Sequence, residues 1–184
     1  MGGRGLSGGA QMILRPILPV VILVVFLAPA AASAKEKGSG TVLLVHVTTP
    51  LDGDTDRTTL VFRIVAGALK KGQRVVLLFD AEGVSSLRMG RWFGGHSTPL
   101  DRAAIAGQER RDLAALLGTS VDGIPDIYGS LLHFLKGRGV SVYVNKRALE
   151  LHGIGADHYD HAAEPVDEEK ALDLLGRANA YLSY

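Results

Sequence analysis

The sequence predicts an α/β protein with a three-layer α/β/α architecture and a mostly parallel five-stranded sheet. Residues 41–47 and 74–79 are nearly continuous apolar, β-branched runs, which is typical of strands that are covered on both faces. The segment between them has helical periodicity and is long enough for the crossover that joins two parallel strands. Strand and helix patterns then continue to alternate along the chain.

The first half of the predicted domain is a strand, a helix and a strand. After the strand at residues 41–47, apolar residues recur at helical spacing through Lys71, and Gly72 ends this helix as a C′ residue. Residues 74–79 form the second strand, and Asp80 stands at its carboxyl end.

The middle of the chain is less regular. Residues 81–89 have the pattern of one or two helical turns, residues 90–99 form a glycine-rich loop, and residues 100–117 are rich in alanine and leucine and predict a helix. Trp92 and Phe93 in the loop favour two interpretations equally. They either anchor a contact between subunits or pin the loop to the core.

The last part of the chain alternates again. Its predicted helices cover residues 126–136, 146–152 and 167–178. Its predicted strands cover residues 140–144, 157–161 and 181–184. The acidic residues in the first turn of the last helix favour that start, because they lie at the positive end of the helix dipole.

The N-terminal segment has the pattern of a secretory signal peptide. Arg4 and Arg15 supply a positive region, residues 17–27 are apolar apart from one proline, and residues 32–34 are a small-residue cleavage site. We therefore expect an exported, periplasmic protein. The alternative is an uncleaved N-terminal helix that anchors the chain to the membrane, although the apolar run is short for a span.

This pattern divides the chain into three parts. Residues 1–34 are the predicted signal peptide, residues 35–40 a polar linker, and residues 41–184 a single domain. Removing the signal takes away two arginines and no acid, so the mature domain is close to neutral.

Composition excludes several classes of function. The 184 residues carry a formal net charge of +1, so no basic field predicts a nucleic-acid partner. The chain contains no cysteine, which excludes disulfides, cysteine metal sites and thiol chemistry carried by this chain itself.

Four segments resemble the DsrE/DsrF-like sulfur-relay family. They are the opening strand TVLLVHV, the helix end LKKGQ, the strand RVVLLFDAEGV and the stretch LLHFLKGRGVSVYVNKRALELHGI, of which the last two are the most specific. The resemblance covers residues 41–184. It implies a compact three-layer α/β/α fold that often assembles into oligomers.

The same resemblance identifies a reactive position. Sulfur-transferring members of the family carry a cysteine directly after the strand that here ends at Val144, and this chain has Asn145 there. The resemblance therefore supports the fold and argues against persulfide transfer by this chain.

Three polar residues are candidates for a ligand-binding site. His46 lies near the carboxyl end of the first predicted strand, Asp80 at the end of the second and Asn145 at the end of the third. Parallel strands would bring all three to one edge of the sheet, where ligands usually bind. His46 would then act as an acid or base and Asn145 as a donor to an oxyanion. The alternative interpretation is that they are turn and capping residues and a core histidine.

A second group consists of His152, His158 and His161, which are weak candidates for a zinc, copper or nickel site. Their spacing matches no metal-binding motif. A strand over residues 157–161 would also point His158 and His161 to opposite faces. We therefore favour a solvated polar loop here and predict no metal.

The predicted function is that of an exported DsrE-like domain without a thiol that binds a ligand or a protein partner. We predict no catalytic residue and no cofactor, and the sequence leans against an enzyme. The alternatives are an accessory protein of sulfur transfer or oxidation whose partner supplies the cysteine, and a weak periplasmic metal binder. We expect a homo-oligomer or a protein partner, no nucleic acid, and membrane contact only through an uncleaved signal segment.

Overall fold

A parallel β-sheet forms the centre of the domain. The computed structural model describes residues 41–51, 55–90 and 97–184, and within these ranges five strands form one sheet with every neighbouring pair parallel. The strands are β1 (Val42–Val47), β2 (Arg74–Phe79), β3 (Ser141–Asn145), β4 (Glu164–Val166) and β5 (Ala180–Ser183). Their order across the sheet is β4-β3-β2-β1-β5. The predicted fold class is confirmed.

Helices connect successive strands. In the described ranges the α-helices are α1 (Thr55–Lys70), α2 (Gly107–Leu117), α3 (Tyr128–Gly137), α4 (Lys146–Leu151) and α5 (Glu168–Arg177). Short 3-10 helices cover Ala81–Leu87, Leu100–Arg102 and Val121–Gly123. The start of α5 follows from its sequence, because the Asp167 carboxylate caps the helix by accepting a hydrogen bond from the Lys170 backbone N–H.

The two faces of the sheet are covered unequally. Alternate residues of β1 point to opposite faces, so Leu43 and Val45 join a large apolar cluster with residues of α1 to α4. Leu44 joins a smaller cluster on the other face, which packs against Ala171 and other residues of α5. These two clusters give the three layers that the sequence predicts.

The predicted fourth strand at residues 157–161 is wrong, and β4 lies a few residues later at Glu164–Val166. The predicted segment folds into turns instead. The Asp160 carboxylate accepts a hydrogen bond from the backbone N–H of Ala162 over 2.7 Å, which bends the chain. Pro165 conceals the true strand in the sequence, because proline cannot donate to a sheet and is tolerated only at an edge such as this.

The predicted helix at residues 100–117 is correct only in its second part, because α2 begins at Gly107. The backbone of residues 103–105, just before α2, forms hydrogen bonds with residues 126–128. The N–H of Ile105 donates to Asp126 over 2.7 Å, and the N–H of Tyr128 donates to Ala103 over 3.0 Å. These bonds hold residues 103–105 in an extended form that a helix cannot adopt.

Some predictions concern residues outside the described ranges. The signal peptide at 1–34, the linker at 35–40 and the aromatic pair Trp92 and Phe93 all lie there. Of the helices that the structure describes, none combines the length and the apolar character needed to cross a membrane.

Candidate functional site

The three polar residues predicted at the strand ends lie together at the carboxyl edge of the sheet. β1, β2 and β3 are neighbours and parallel, so their ends meet. Nε2 of His46 lies 3.1 Å from Oδ2 of Asp80, and Nδ2 of Asn145 donates to Oδ1 of Asp80 over 3.0 Å. Asp80 is therefore the centre of the cluster, with a partner on each carboxylate oxygen.

Asp80 is fixed by the turn that follows β2. Its Oδ1 also accepts a hydrogen bond from the backbone N–H of Ala81 over 2.7 Å, so it caps the 3-10 helix Ala81–Leu87. Ala81 has a φ of 45°, an uncommon conformation for a residue with a side chain. The backbone N–H of Asp80 itself donates to the Val47 carbonyl oxygen over 2.9 Å, which ties the ends of β1 and β2 together.

Asn145 is buried, with 9% of its surface exposed, and uses both ends of its amide. Its Nδ2 donates to Asp80, and its Oδ1 accepts from the backbone N–H of Arg147 over 2.9 Å. The second bond makes it the N-cap of α4. The capping role that the sequence offered as an alternative for Asn145 is thus observed. Its amide nitrogen also bonds to Asp80 and does not point to solvent.

A fourth member of the cluster, Tyr181, was not identified from the sequence. Its hydroxyl lies 2.9 Å from Nδ1 of His46, and the two rings are 5.9 Å apart between centroids. β5 pairs with β1 so that Tyr181 lies beside Leu44 on the same face of the sheet as His46. The position of Tyr181 thus depends on which strand adjoins β1, and no local sequence pattern reports that order.

The hydrogen-bond partners of His46 determine which of its two ring nitrogens carries the hydrogen when the imidazole is neutral. An ionised carboxylate only accepts, so Nε2 of His46 carries the hydrogen and donates it to Asp80. Nδ1 then accepts a hydrogen bond from the hydroxyl of Tyr181. A continuous chain of hydrogen bonds therefore runs from the exposed Tyr181 through His46 to Asp80 and the buried Asn145.

Exposure is highest at the two residues that a ligand can reach. Tyr181 is 50% exposed and the side chain of Asp80 is 26% exposed, whereas the side chain of His46, which lies between them, is 12% exposed. A ligand at this edge would therefore meet the tyrosine hydroxyl and the open side of the Asp80 carboxylate. No thiol exists in the chain to provide a strong nucleophile here.

The three histidines considered for metal binding do not form a site. Throughout residues 41–51, 55–90 and 97–184, no three histidine, aspartate or glutamate side chains group in a way that could hold a metal ion. His152 and His161 are exposed, and His161 packs edge-on against Tyr159. Asp160 instead pairs with His133 on α3, at 2.9 Å between Oδ1 and Nε2.

Comparison with known proteins identifies the fold. No model of a protein family matches the chain, and no curated protein matches it. Among solved structures, it is similar to MTH1491 from Methanobacterium thermoautotrophicum, a protein of unknown function, with a TM-score of 0.50 and 14% identity over 78% of this chain and 99% of that one. It also matches the ychN protein from E. coli with a TM-score of 0.49 and 14% identity, over 79% of this chain and 99% of that one. The similarity to MTH1491 supports the α/β fold described above.

Proposed function

We propose that this chain is an exported DsrE-like protein without a thiol, which binds a small polar ligand or a protein partner at the carboxyl edge of its sheet. The hydrogen-bonded cluster of His46, Asp80, Asn145 and Tyr181 is the observation that carries this proposal. Polar groups from three strand ends and from Tyr181 on β5 converge there, and two of them, Tyr181 and Asp80, reach solvent. Such convergence at the carboxyl edge of a parallel sheet is typical of a ligand site.

The two hydrogen bonds of the Asn145 side chain favour a binding function over sulfur chemistry. By resemblance to the DsrE/DsrF-like family, this is the position of the reactive cysteine. Here an amide occupies it, and both ends of that amide hold the local structure together. A residue with these two bonds orients Asp80 and starts α4, which are structural tasks that a sulfur carrier would not perform.

The cluster also indicates which kind of ligand it favours. Tyr181 donates its only hydrogen to His46, so its oxygen faces solvent as an acceptor. The Asp80 carboxylate is an acceptor as well, and it carries negative charge when ionised. We therefore propose a ligand rich in hydrogen-bond donors, such as an amine, a guanidinium group or the N–H groups of a peptide.

A thermal-shift titration of the full chain tests this proposal. Agmatine, which has both an amine and a guanidinium group, should raise the melting temperature in a concentration-dependent way, because a ligand that binds only the native state stabilises it. Inorganic phosphate should not. Tyr181→Phe should weaken the agmatine effect, while Lys71→Met, an exposed change elsewhere on the surface, should leave it intact. An equal shift in both variants would contradict the proposed site.

We also propose a homo-oligomer or a stable protein partner. The support is the unequal covering of the sheet, since the face against α5 has the smaller apolar cluster. Leu172 on α5 and Tyr181 on β5 are 62% and 50% exposed. Light scattering that finds only monomers at micromolar concentration would refute the homo-oligomer.

Export is a separate part of the proposal and rests on the sequence of residues 1–34. Expression in a bacterial host with a periplasm, followed by intact-mass analysis, should find a mature chain that begins at Lys35. A full-length chain in the membrane fraction would instead support the uncleaved anchor.

The second candidate is an accessory protein of sulfur transfer or oxidation whose partner supplies the cysteine. It is favoured by the resemblance around Asn145 and tested by adding the natural chain to a persulfide donor. A change in donor turnover would support it. If Asn145→Cys acquires a persulfide while the natural chain leaves turnover unchanged, the accessory role is contradicted. A metal-binding role has no support in the described residues.

A further inference from the structure

The cluster at the carboxyl edge of the sheet has the layout of a catalytic triad, with a tyrosine in the place of the nucleophile. The hydroxyl of Tyr181 lies 2.9 Å from Nδ1 of His46, and Nε2 of His46 lies 3.1 Å from Oδ2 of Asp80. A hydroxyl or thiol bonded to a base, with the base oriented by a third group, is the arrangement that activates nucleophiles on unrelated folds.

The directions of the hydrogen bonds suit these roles. Because Nε2 of His46 donates to the Asp80 carboxylate, Nδ1 holds the free lone pair that accepts from Tyr181 and is placed to take its proton. The negative charge of Asp80 then stabilises the imidazolium that forms. The lone pairs of the Tyr181 oxygen stay available to a reactant, since this residue is half exposed.

Asp80 is held in one orientation. Its Oδ1 accepts hydrogen bonds from Nδ2 of Asn145 over 3.0 Å and from the backbone N–H of Ala81 over 2.7 Å, which leaves Oδ2 for His46. The imidazole is itself largely buried between its two partners. A base whose partners are fixed in this way stays aligned with its nucleophile.

We infer that Tyr181 is a nucleophile that accepts acyl groups from activated esters, with His46 as its general base and Asp80 and Asn145 as positioning residues. The phenol oxygen attacks the carbonyl carbon, and its proton passes to Nδ1. The bond to the leaving oxygen then breaks, and the proton goes to the departing group. Water next attacks the acyl-tyrosine and gives a proton to Nδ1, which returns it to the phenol oxygen as the acid is released.

The nucleophile limits the class of acyl donor. The pKa of a phenol is about 10, so tyrosine takes an acyl group only from a donor whose leaving group is at least as acidic. Aryl esters of acidic phenols meet this condition, whereas alkyl esters and amides do not. The negative charge of Asp80 beside the site disfavours an anionic donor.

Benzenesulfonyl fluoride reports the nucleophile, because the tyrosine oxygen displaces fluoride from sulfur and the product is stable. Peptide mass mapping of the treated full chain should find Tyr181 labelled about 100-fold faster than Tyr143 or Tyr184, a typical contribution of general base catalysis. These two are the internal controls, since both are partly exposed and neither bonds to a histidine within the residues that the structure describes. Equal labelling of the three tyrosines would overturn the inference.

Asp80→Asn tests whether the tautomer of His46 matters. Two donors meet Oδ1, so the new amide keeps its oxygen there and places its NH2 group opposite Nε2. Nε2 must then accept, which moves the hydrogen of a neutral ring to Nδ1 and removes the lone pair that takes the proton of Tyr181. Labelling of Tyr181 should fall to the rate of Tyr143, while both bonds to Oδ1 preserve the turn. Labelling at the wild-type rate would contradict these roles. Lys71→Met is the control and should change nothing.

The pH profile distinguishes a base from a purely structural partner. In the natural chain, labelling of Tyr181 should rise only across the range in which imidazoles lose their proton, about pH 5 to 8, and then level off. His46→Asn keeps a side-chain acceptor and cannot take up a proton, so its labelling should continue to rise about tenfold per pH unit toward the ordinary phenol pKa near 10. Identical profiles of the two chains would overturn the assignment of His46.

Hydrolysis of p-nitrophenyl acetate tests the complete cycle. The natural chain should release nitrophenolate faster than Asp80→Asn, and prior sulfonylation of Tyr181 should abolish the excess. Equal rates in the two chains would overturn the acyl-transfer activity.

The inference goes beyond the proposed binding function, although it concerns the same cluster. Agmatine can fail to raise the melting temperature while Tyr181 is labelled selectively, and selective labelling can fail while agmatine binds. The two measurements therefore report separately on the ligand and on the chemistry.

Discussion

The side-chain amide of Asn145 donates a hydrogen bond from Nδ2 to Oδ1 of Asp80 over 3.0 Å and so joins the ends of β3 and β2. The same amide caps α4 through its oxygen. A single buried residue thus orients the carboxylate at the centre of the cluster and starts the next helix. This double role makes the site and the local fold depend on each other.

Asn145→Ala tests this dependence. It removes the N-cap acceptor and the donor to Asp80, and should lower the free energy of unfolding by about 1–3 kcal/mol, as expected for losing a cap and a buried hydrogen bond. Urea denaturation measures the loss. Asn145→Ser retains an oxygen able to cap and should lose only part of that energy. A change below about 0.5 kcal/mol in the alanine variant would show that neither bond contributes to stability.

Gly83→Ala tests the close approach of the turn after β2 to the end of β1. A Cβ at this position would overlap the carbonyl oxygen of Val47 and lie 2.7 Å from its carbonyl carbon. Because these are backbone atoms, the strand end must move, and we expect a loss of about 1–3 kcal/mol.

The matched control for that variant is Gly67→Ala, within α1, where a Cβ would meet nothing within 4 Å. It should stabilise the protein by about 0.5–1 kcal/mol, because alanine is the better helix former. Thermal or urea unfolding measures both variants. Equal effects of the two alanines would contradict the packing described for Gly83.

Because Tyr128 is buried, we expect the free energy of unfolding to fall at alkaline pH. It is fully buried, with its hydroxyl 2.6 Å from Oγ1 of Thr59, and burial raises its pKa. The unfolded phenol ionises near pH 10. Above that pH the native state retains a proton that the unfolded state loses, so the contribution is fully present below about pH 10 and is lost as the pH rises through the native pKa.

Comparison with Tyr128→Phe isolates this contribution from other titrations. The wild type should be more stable than the variant at pH 9, because it keeps the bond to Thr59. The difference in unfolding free energy should shrink by about 1 kcal/mol between pH 9 and pH 11. Urea denaturation at both values measures it. A difference that stays constant, or grows with pH, would contradict the assigned direction.

Much of the fold could be predicted because its signals are local. The apolar runs at β1 and β2 and the helical spacing between them required parallel strands, and that requirement placed His46, Asp80 and Asn145 at one edge. The structure brings all three together. The resemblance to a known family rested on the same segments.

The features that could not be predicted depend on contacts between segments that are distant in the sequence. Tyr181 joins the cluster only because β5 lies beside β1, and the strand order cannot be read from periodicity. β4 is a three-residue edge strand that contains Pro165, so it has neither the length nor the composition of a predicted strand. Residues 103–105 have helical composition, but pairing with residues 126–128 keeps them extended.

We propose above that the carboxyl edge of the sheet binds donor-rich ligands. Amide chemical-shift mapping of the full chain with agmatine tests it most directly. We expect saturable shifts at His46, Asp80, Asn145 and Tyr181, which weaken in Tyr181→Phe and persist in Lys71→Met. No saturable shifts at these four residues, or the same affinity in Tyr181→Phe, would contradict it.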